Sequence, residues 1–351
     1  MAINLDDRAV VTELDPHGML RLTEEFPKQC REALSIAEQV EAPKLENRPG
    51  VVALAGMGGS AAGGDFVRAL FEAHGGAPFV VIRDYNVPNY LGVGDLVFCA
   101  SYSGNTEETL SVYHAAKAAG CRIVAVTSGG KLKELAEADG FTVYTVPGGQ
   151  PPRTALGYMM IPVIVACQRL KLIPEQNLAQ AIDTMEAAAK AWTPEAGDNA
   201  AKKLARELQG ALPIVYGLGS WQGYIANRWR CQINENAKTL AFVNSYPELN
   251  HNEIMGWVGA ANQGVGRFVG ILLEDGSESD RMKARASVTE GLVKGTIPFH
   301  RVQAQGETLM EKMLTLTFFG DFVSIYLARL NGADPENIAS INTLKDELAK
   351  V

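Results

Sequence analysis

The sequence predicts an α/β protein of two tandem units, each a parallel sheet flanked by helices on both faces. Three observations predict this. A short β-rich run, a glycine-bearing turn and a helix recur in that order along most of the chain, and such alternation lays strands in parallel with helices over both faces. Glycine, at 35 of 351 residues, is enriched for the tight strand-to-helix turns this arrangement needs. The cadence also repeats. Val51-Val52-Ala53-Leu54-Ala55-Gly56-Met57-Gly58-Gly59-Ser60 is echoed by Leu212-Pro213-Ile214-Val215-Tyr216-Gly217-Leu218-Gly219-Ser220, serine to serine 160 residues apart. Thr154-Ala155-Leu156 with Arg169-Leu170 is echoed by Thr315-Leu316-Thr317 with Arg329-Leu330, at offsets of 161 and 160 residues. One offset at both ends of a unit points to a tandem duplication.

Taken in order, residues 1–45 read as an amphipathic helical arm, with Ala33, Ile36, Ala37 and Val40 at helical spacing. The first unit covers 46–172. It contains a strand at 51–55, a glycine turn at 56–64, a helix at 65–73, and strands at 79–83 and 96–100. A hydroxyl-rich turn at 101–106 leads to a helix at 107–117, a strand at 122–127, a helix at 131–138 and a strand at 141–146. An apolar helix at 154–170 closes the unit, so each copy is expected to hold a five-stranded sheet. Pro174 and an Ala-rich helix reaching Ala191 make a linker over 173–200, and the second unit covers 201–351.

Composition excludes several classes. A net charge of −8 argues against a nucleic-acid grip, which relies on many Lys and Arg side chains against phosphates. The five cysteines (Cys30, Cys99, Cys121, Cys167, Cys231) are scattered without paired spacing, which fits a reducing, cytoplasmic setting rather than a zinc site or disulfide framework. The first residues have neither the basic start nor the apolar core of a signal peptide. The apolar run at 155–167 is shorter than the ~20 residues a membrane helix needs and contains Pro162. No membrane or nucleic-acid partner is expected.

Chemistry concentrates at Ser101-Tyr102-Ser103-Gly104-Asn105-Thr106. Three hydroxyls crowd a glycine where a helix leaves its first N–H groups unpaired, a ready site for an anion. The simpler reading is that Asn105 or Thr106 caps the helix and the serines are turn residues. The earlier turn, Gly56-Met57-Gly58-Gly59-Ser60, also opens a helix after a strand. It loosely satisfies a dinucleotide fingerprint, Gly56-x-Gly58-x-x-Ala61, with Asp84 as a late ribose-binding acid. Alternatively Gly58 and Gly59 let the backbone approach a small phosphate, with Ser60 adding a hydroxyl. Two hydroxyl-and-glycine loops facing one crevice suit a single phosphomonoester better than a dinucleotide.

Gly58-Gly59-Ser60 followed by Ser101-x-Ser103-Gly104-Asn105-Thr106 resembles the sugar isomerase (SIS) domain family, and the duplication is similar to its double-domain members. Asn234-Glu235-Asn236-Ala237-Lys238, Pro247-Glu248-Leu249-Asn250-His251-Asn252-Glu253, Pro152-Arg153-Thr154-Ala155 and Leu344-Lys345 resemble its branch of phosphoglucose/phosphomannose isomerases. The resemblance implies hexose 6-phosphate as substrate, held by Gly59, Ser60, Ser101, Ser103 and Thr106. It implies Glu235 as the base at C1/C2 and His251 as the group that opens the cyclic sugar, entering from the partner subunit of a homodimer. It also implies Lys345 near the reacting oxygens.

Moving a carbonyl between C1 and C2 requires a base and something to hold charge on the enediolate. His17, His74, His114, His251 and His300 form no evident metal-ligand cluster, so no metal or cofactor is expected and Arg153 is the candidate cation. Each residue has a plainer reading. Glu235 on a helix can be a solvated charge, Arg153 a local cap or ion-pair partner, and Lys345 an ordinary exposed lysine. His251, in a polar turn-rich stretch, is less natural as a packed core histidine, whereas Trp229 and Cys231 read as core. Two other functions stand beside isomerisation: a non-catalytic phosphosugar-binding regulator, and an isomerase for a different sugar phosphate.

Overall fold

A computed structural model describes residues 3–260, 266–348 and 350. The chain divides into two compact units, one made of Glu25–Met185 with Gly306–Met313, the other of Met1–Glu24, Glu186–Gln305 and Leu314–Val351. The helical stretch expected over 1–45 therefore parts between them. Helices α1 (Arg8–Val11) and α2 (Met19–Glu24) go with the second unit, and α3 (Phe26–Gln39) goes with the first.

The first unit holds β1 (Val52–Ala55), α4 (Gly58–His74), β2 (Phe79–Ile82), β3 (Leu96–Ala100), α5 (Glu107–Ala118), β4 (Arg122–Thr127), α6 (Gly130–Ala138), β5 (Thr142–Thr145), α7 (Leu156–Arg169) and α8 (Leu178–Ala189) as far as Met185. Its strands pair in the order β2-β1-β3-β4-β5, all parallel, with Ala55 opposite both Ile82 and Cys99. Strands β1 and β3 are buried along their whole length, as expected of a sheet covered on both faces. One face packs Ala53, Val97, Cys99, Ile123 and Ala125 against Val112 and Tyr113 of α5 and Leu132 of α6. On α7, Met159, Met160, Ile161, Val163 and Ile164 are fully buried, each contributing roughly 1.5–3 kcal/mol.

Helix α4 begins at Gly58 rather than at residue 65, taking up glycines that sequence alone assigns to a turn. Packing explains it. A Cβ on Gly63 would sit 2.9 Å from the Met159 carbonyl oxygen, and one on Gly64 would sit 2.9 Å from Leu54 Cδ2. The glycines let α4 lie close on both α7 and the sheet, which outweighs their low helix propensity.

The second unit holds α9 (Ala200–Leu208), β6 (Leu212–Gly217), α10 (Ser220–Ala237), β7 (Phe242–Ser245), α11 (Glu253–Gly259), β8 (Phe268–Glu274), α12 (Asp280–Val293) and β9 (Phe299–Gln303). Helices α13 (Leu309–Leu330), which belongs to this unit from Leu314 on, and α14 (Ala339–Leu348) follow. Among the described residues the parallel order β7-β6-β8-β9 repeats the first sheet without its fifth strand, so the expectation of five strands in each copy is corrected to five and four. After β9 the chain goes directly into α13, leaving too few residues for a parallel crossover of a dozen or more. Those residues start α13 instead: the Thr308 N–H donates to Glu311 Oε2 at 2.7 Å, and the Glu311 N–H donates to Thr308 Oγ1 at 3.3 Å, a reciprocal cap. Longer strands and connections between β6 and β9, the β7–β8 connection most of all, together offset the missing strand and helix, so the repeat spacing conceals opposite changes. Helix α13 is long and apolar enough to cross a membrane, but 94% of its most apolar window is buried, as in a core helix.

Candidate functional site

In an open parallel sheet, ligands bind beyond the carboxyl ends of the strands where the strand order reverses. In the first sheet that point lies between β1 and β3, which exit beside each other into the two glycine-and-hydroxyl turns. The turns touch: the Tyr102 N–H donates to Ser60 Oγ at 3.2 Å. Ser101 is buried, and its Oγ is hydrogen-bonded to Thr106 Oγ1 at 2.8 Å. Thr106 is the N-cap of α5, yet its side chain makes no capping bond to the helix. Met57, the N-cap of α4, also offers none. Ser103 is exposed, and its Oγ accepts from the Asn105 N–H at 3.3 Å.

Arg153 joins this group through its backbone. Pro152–Thr154 forms one turn of 3-10 helix, and the Arg153 side chain is buried. A Cβ on Gly59 would lie 2.6 Å from the Pro152 carbonyl oxygen and 3.2 Å from Arg153 Cα, so only glycine lets this turn rest on the start of α4. Nearby, Arg83 at the end of β2 pairs with the buried Asp65 of α4. Burial raises the Asp65 carboxyl above its ordinary range against the opposing pull of Arg83.

Sequence reasoning missed the support beneath the Ser101–Thr106 turn. Thr127, Ser128, Gly129 and Gly130, between β4 and α6, grip it from below. Ser128 Oγ donates to the Tyr102 carbonyl at 2.7 Å, and the Lys131 N–H donates to Asn105 Oδ1 at 3.0 Å. Gly104 has φ +70°, and a Cβ there would sit 1.8 Å from the Gly129 carbonyl oxygen. The detectable signal was a third glycine-bearing turn, Ser128-Gly129-Gly130, after a neighbouring strand.

Glu235, His251 and Lys345 lie in the second unit. Glu235 is half-buried in the last turn of α10, and the residues around it are pinned. Asn234 Oδ1 accepts from the Ala241 N–H at 2.8 Å, Asn236 Nδ2 donates to Ser324 Oγ at 2.9 Å, and Lys238 Nζ donates to the Glu235 carbonyl at 2.7 Å. One turn back, Gln232 Nε2 donates to the buried Asp321 at 2.8 Å. His251 is exposed at the end of a 3-10 turn, Glu248–His251. Lys345 is exposed on α14, which buries none of its residues, and Ile341, Leu344 and Leu348 lie on the same side of that helix.

The equivalent crevice of the second sheet, between β6 and β8, is closed by the chain itself. Glu278 Oε1 accepts from the Asp275 N–H at 2.6 Å and from Gln222 Nε2 at 3.3 Å. Ser279 Oγ caps α12 by accepting from the Met282 N–H at 3.3 Å. Among the described residues, no group of three or more His, Cys, Asp and Glu side chains is gathered in a way that could hold a metal ion.

Comparison with known proteins adds to this geometry. The SIS domain family model matches residues 47–159, and the model of the bacterial phospho-glucose isomerase C-terminal SIS domain matches 197–348. The bifunctional phosphoglucose/phosphomannose isomerase of Caldicellulosiruptor bescii is 38% identical over 331 residues, covering 93% of this chain and 97% of that protein. Its namesake from Aquifex aeolicus is 34% identical over 302 residues, covering 85% of this chain and 90% of that one. Among solved structures, a hypothetical protein from Thermus thermophilus superposes with a TM-score of 0.73 at 17% identity. It covers 99% of this chain and 93% of that one, and at such identity the likeness speaks for the fold alone.

Proposed function

The chain belongs to the family of bifunctional phosphoglucose/phosphomannose isomerases, and on that premise we propose that it interconverts glucose 6-phosphate and mannose 6-phosphate with fructose 6-phosphate. The observation that carries the reading is the direct bond between the two turns at the β1/β3 crevice, Tyr102 N–H to Ser60 Oγ. It joins two helix starts without side-chain caps and a set of hydroxyls into one cluster of the kind that takes an anion. Gly59, Ser60, Ser101, Ser103 and Thr106 hold the phosphate. His251 opens the sugar ring, and Glu235 moves the proton between C1 and C2 through a cis-enediolate. Arg153 and Lys345 steady the charge on the oxygens, and no metal or cofactor takes part. The clamped neighbours of Glu235 suit a base that must hold its geometry.

The functional unit in this reading is a homodimer with His251 crossing to the partner's site. Support comes from exposed apolar side chains beside His251, Met255 and Val258 on α11 and Val288 and Leu292 on α12, two helices that pack together. Cys30, Cys99, Cys121 and Cys167 are buried free thiols, which suits a reducing cytoplasm.

The test is a coupled assay with glucose 6-phosphate and mannose 6-phosphate side by side in excess chelator. Turnover of both is expected. Turnover of neither overturns the activity, and loss in chelator overturns the metal-free route. Glu235→Gln should lower kcat by about 10²–10⁴-fold, as removal of a general base does, while phosphosugar binding persists.

A further inference from the structure

The turn that carries His251 ends on a polar cluster that the proposed chemistry does not use. Glu253, first residue of α11, accepts from Tyr216 Oη of β6 at 2.5 Å, from Asn244 Nδ2 of β7 at 2.6 Å, and from Trp257 Nε1 at 3.0 Å. Trp257 Nε1 also lies 2.9 Å from Tyr216 Oη, and both rings are buried. Burial raises the Tyr216 phenol, and the adjacent carboxylate raises it further, so it remains an O–H donor across the working pH range. The residues before Glu253 are tied as well. Asn252 Oδ1 accepts from the Glu253 N–H at 2.6 Å, Asn252 Nδ2 donates to Glu248 at 3.0 Å, and Asn250 Nδ2 donates to Thr289 Oγ1 at 2.7 Å. Between Asn250 and Asn252, His251 is exposed.

We infer that Glu253 is a positioning residue for His251, holding the histidine turn to the edge formed by β6 and β7 so that the imidazole is presented in one place. The inference rests on the reading of His251 as the ring-opening group. A half-buried carboxylate adds little stability over an apolar residue of the same size, and its recognised use is to specify one arrangement among several. Donors converging on Glu253 from three elements serve that use. A helix-end charge on the seven-residue α11 needs none of them.

A double-mutant cycle tests this, because residues that act through one another are not additive. In the full-length protein, Glu253→Gln should lower kcat on glucose 6-phosphate by up to about 10²-fold, the size of a misplacement near 1 Å, with KM little changed. In a His251→Ala background the same change should cost less than about 2-fold. Equal losses in both backgrounds mean that Glu253 only supports the fold, which overturns the inference while leaving the role of His251 intact. A wild-type rate for His251→Ala overturns both. Should Glu253→Gln not fold, Trp257→Phe keeps an aromatic side chain, though a smaller one, and removes both Nε1 bonds. It should show the same pattern at about 10-fold, and equal losses in the two backgrounds overturn the inference there too.

Discussion

At the β1/β3 crevice the chain places Ser60, Ser101 and Thr106 hydroxyls beneath helix starts that carry no side-chain cap. At the β6/β8 crevice, the same place in the second sheet, it inserts the Glu278 carboxylate and caps α12 with Ser279. The strand order is shared and the polar chemistry is opposite. The difference teaches what a duplicated crevice retains. Donors at a helix start must be paired with something. In the second copy Ser279 pairs the start of α12, whereas in the first neither α4 nor α5 has a side-chain cap, and the proposed function gives those starts to a ligand. The Glu278 carboxylate ties the Asp275 N–H to the Gln222 side chain in the second crevice, so an anionic group of the chain sits where the proposed function puts substrate phosphate in the first.

The hardest test of that contrast is to give the first crevice what the second one has. Ser101→Asp sets a carboxylate among the hydroxyls. Repulsion of about 4 kcal/mol per charge pair at 4 Å, with near-surface screening, should lower kcat/KM by about 10³-fold while the fold persists. Steady-state kinetics beside a thermal melt checks both halves, and a variant still near wild-type activity breaks the comparison. Ser101→Ala is milder. It removes one hydrogen bond to a charged ligand, a loss of about 1.5–3 kcal/mol, so KM should rise about 10-fold or more with kcat little changed. A change confined to kcat counts against the cradle.

In the second crevice, Glu278→Gln should leave both kinetic constants alone. It weakens bonds to the Asp275 N–H and Gln222 and should cost about 1 kcal/mol of stability, read as a lower melting temperature. An altered KM would mean that the second crevice communicates with substrate after all.

Much of this was legible in the sequence because each turn is contiguous. Gly58-Gly59-Ser60 and Ser101–Thr106 carry their glycines and hydroxyls in a row, and their meeting follows once the sheet is known to be parallel. What stayed hidden depends on contacts between distant segments. Gly129 matters because its carbonyl fills the space a side chain on Gly104 would need, and Glu253 matters because Tyr216 and Asn244 reach it from two strands. The four-stranded second sheet was masked by the regular 160-residue offset, since several lengthened segments between β6 and β9 together made up for the lost strand and helix. Lys345 carries no local signal, being an exposed lysine among leucines and isoleucine on α14.

The finest test of the contrast crosses the two helix caps. Ser279 and Thr106 are both hydroxyl N-caps, but only Ser279 bonds to its own helix; Thr106 Oγ1 turns to Ser101 instead. A cap that bonds its helix is worth about 1 kcal/mol when replaced by alanine, and one that does not should be worth much less. Ser279→Ala should therefore lower the melting temperature by a few degrees and leave KM unchanged, whereas Thr106→Ala should raise KM several-fold with little change in melting. The two substitutions are chemically alike, so context alone separates their effects. If both lower stability equally and neither moves KM, Thr106 is a structural cap and the first crevice is no more a ligand site than the second. If the effects cross as expected, the chain left the first helix start uncapped because a ligand completes it.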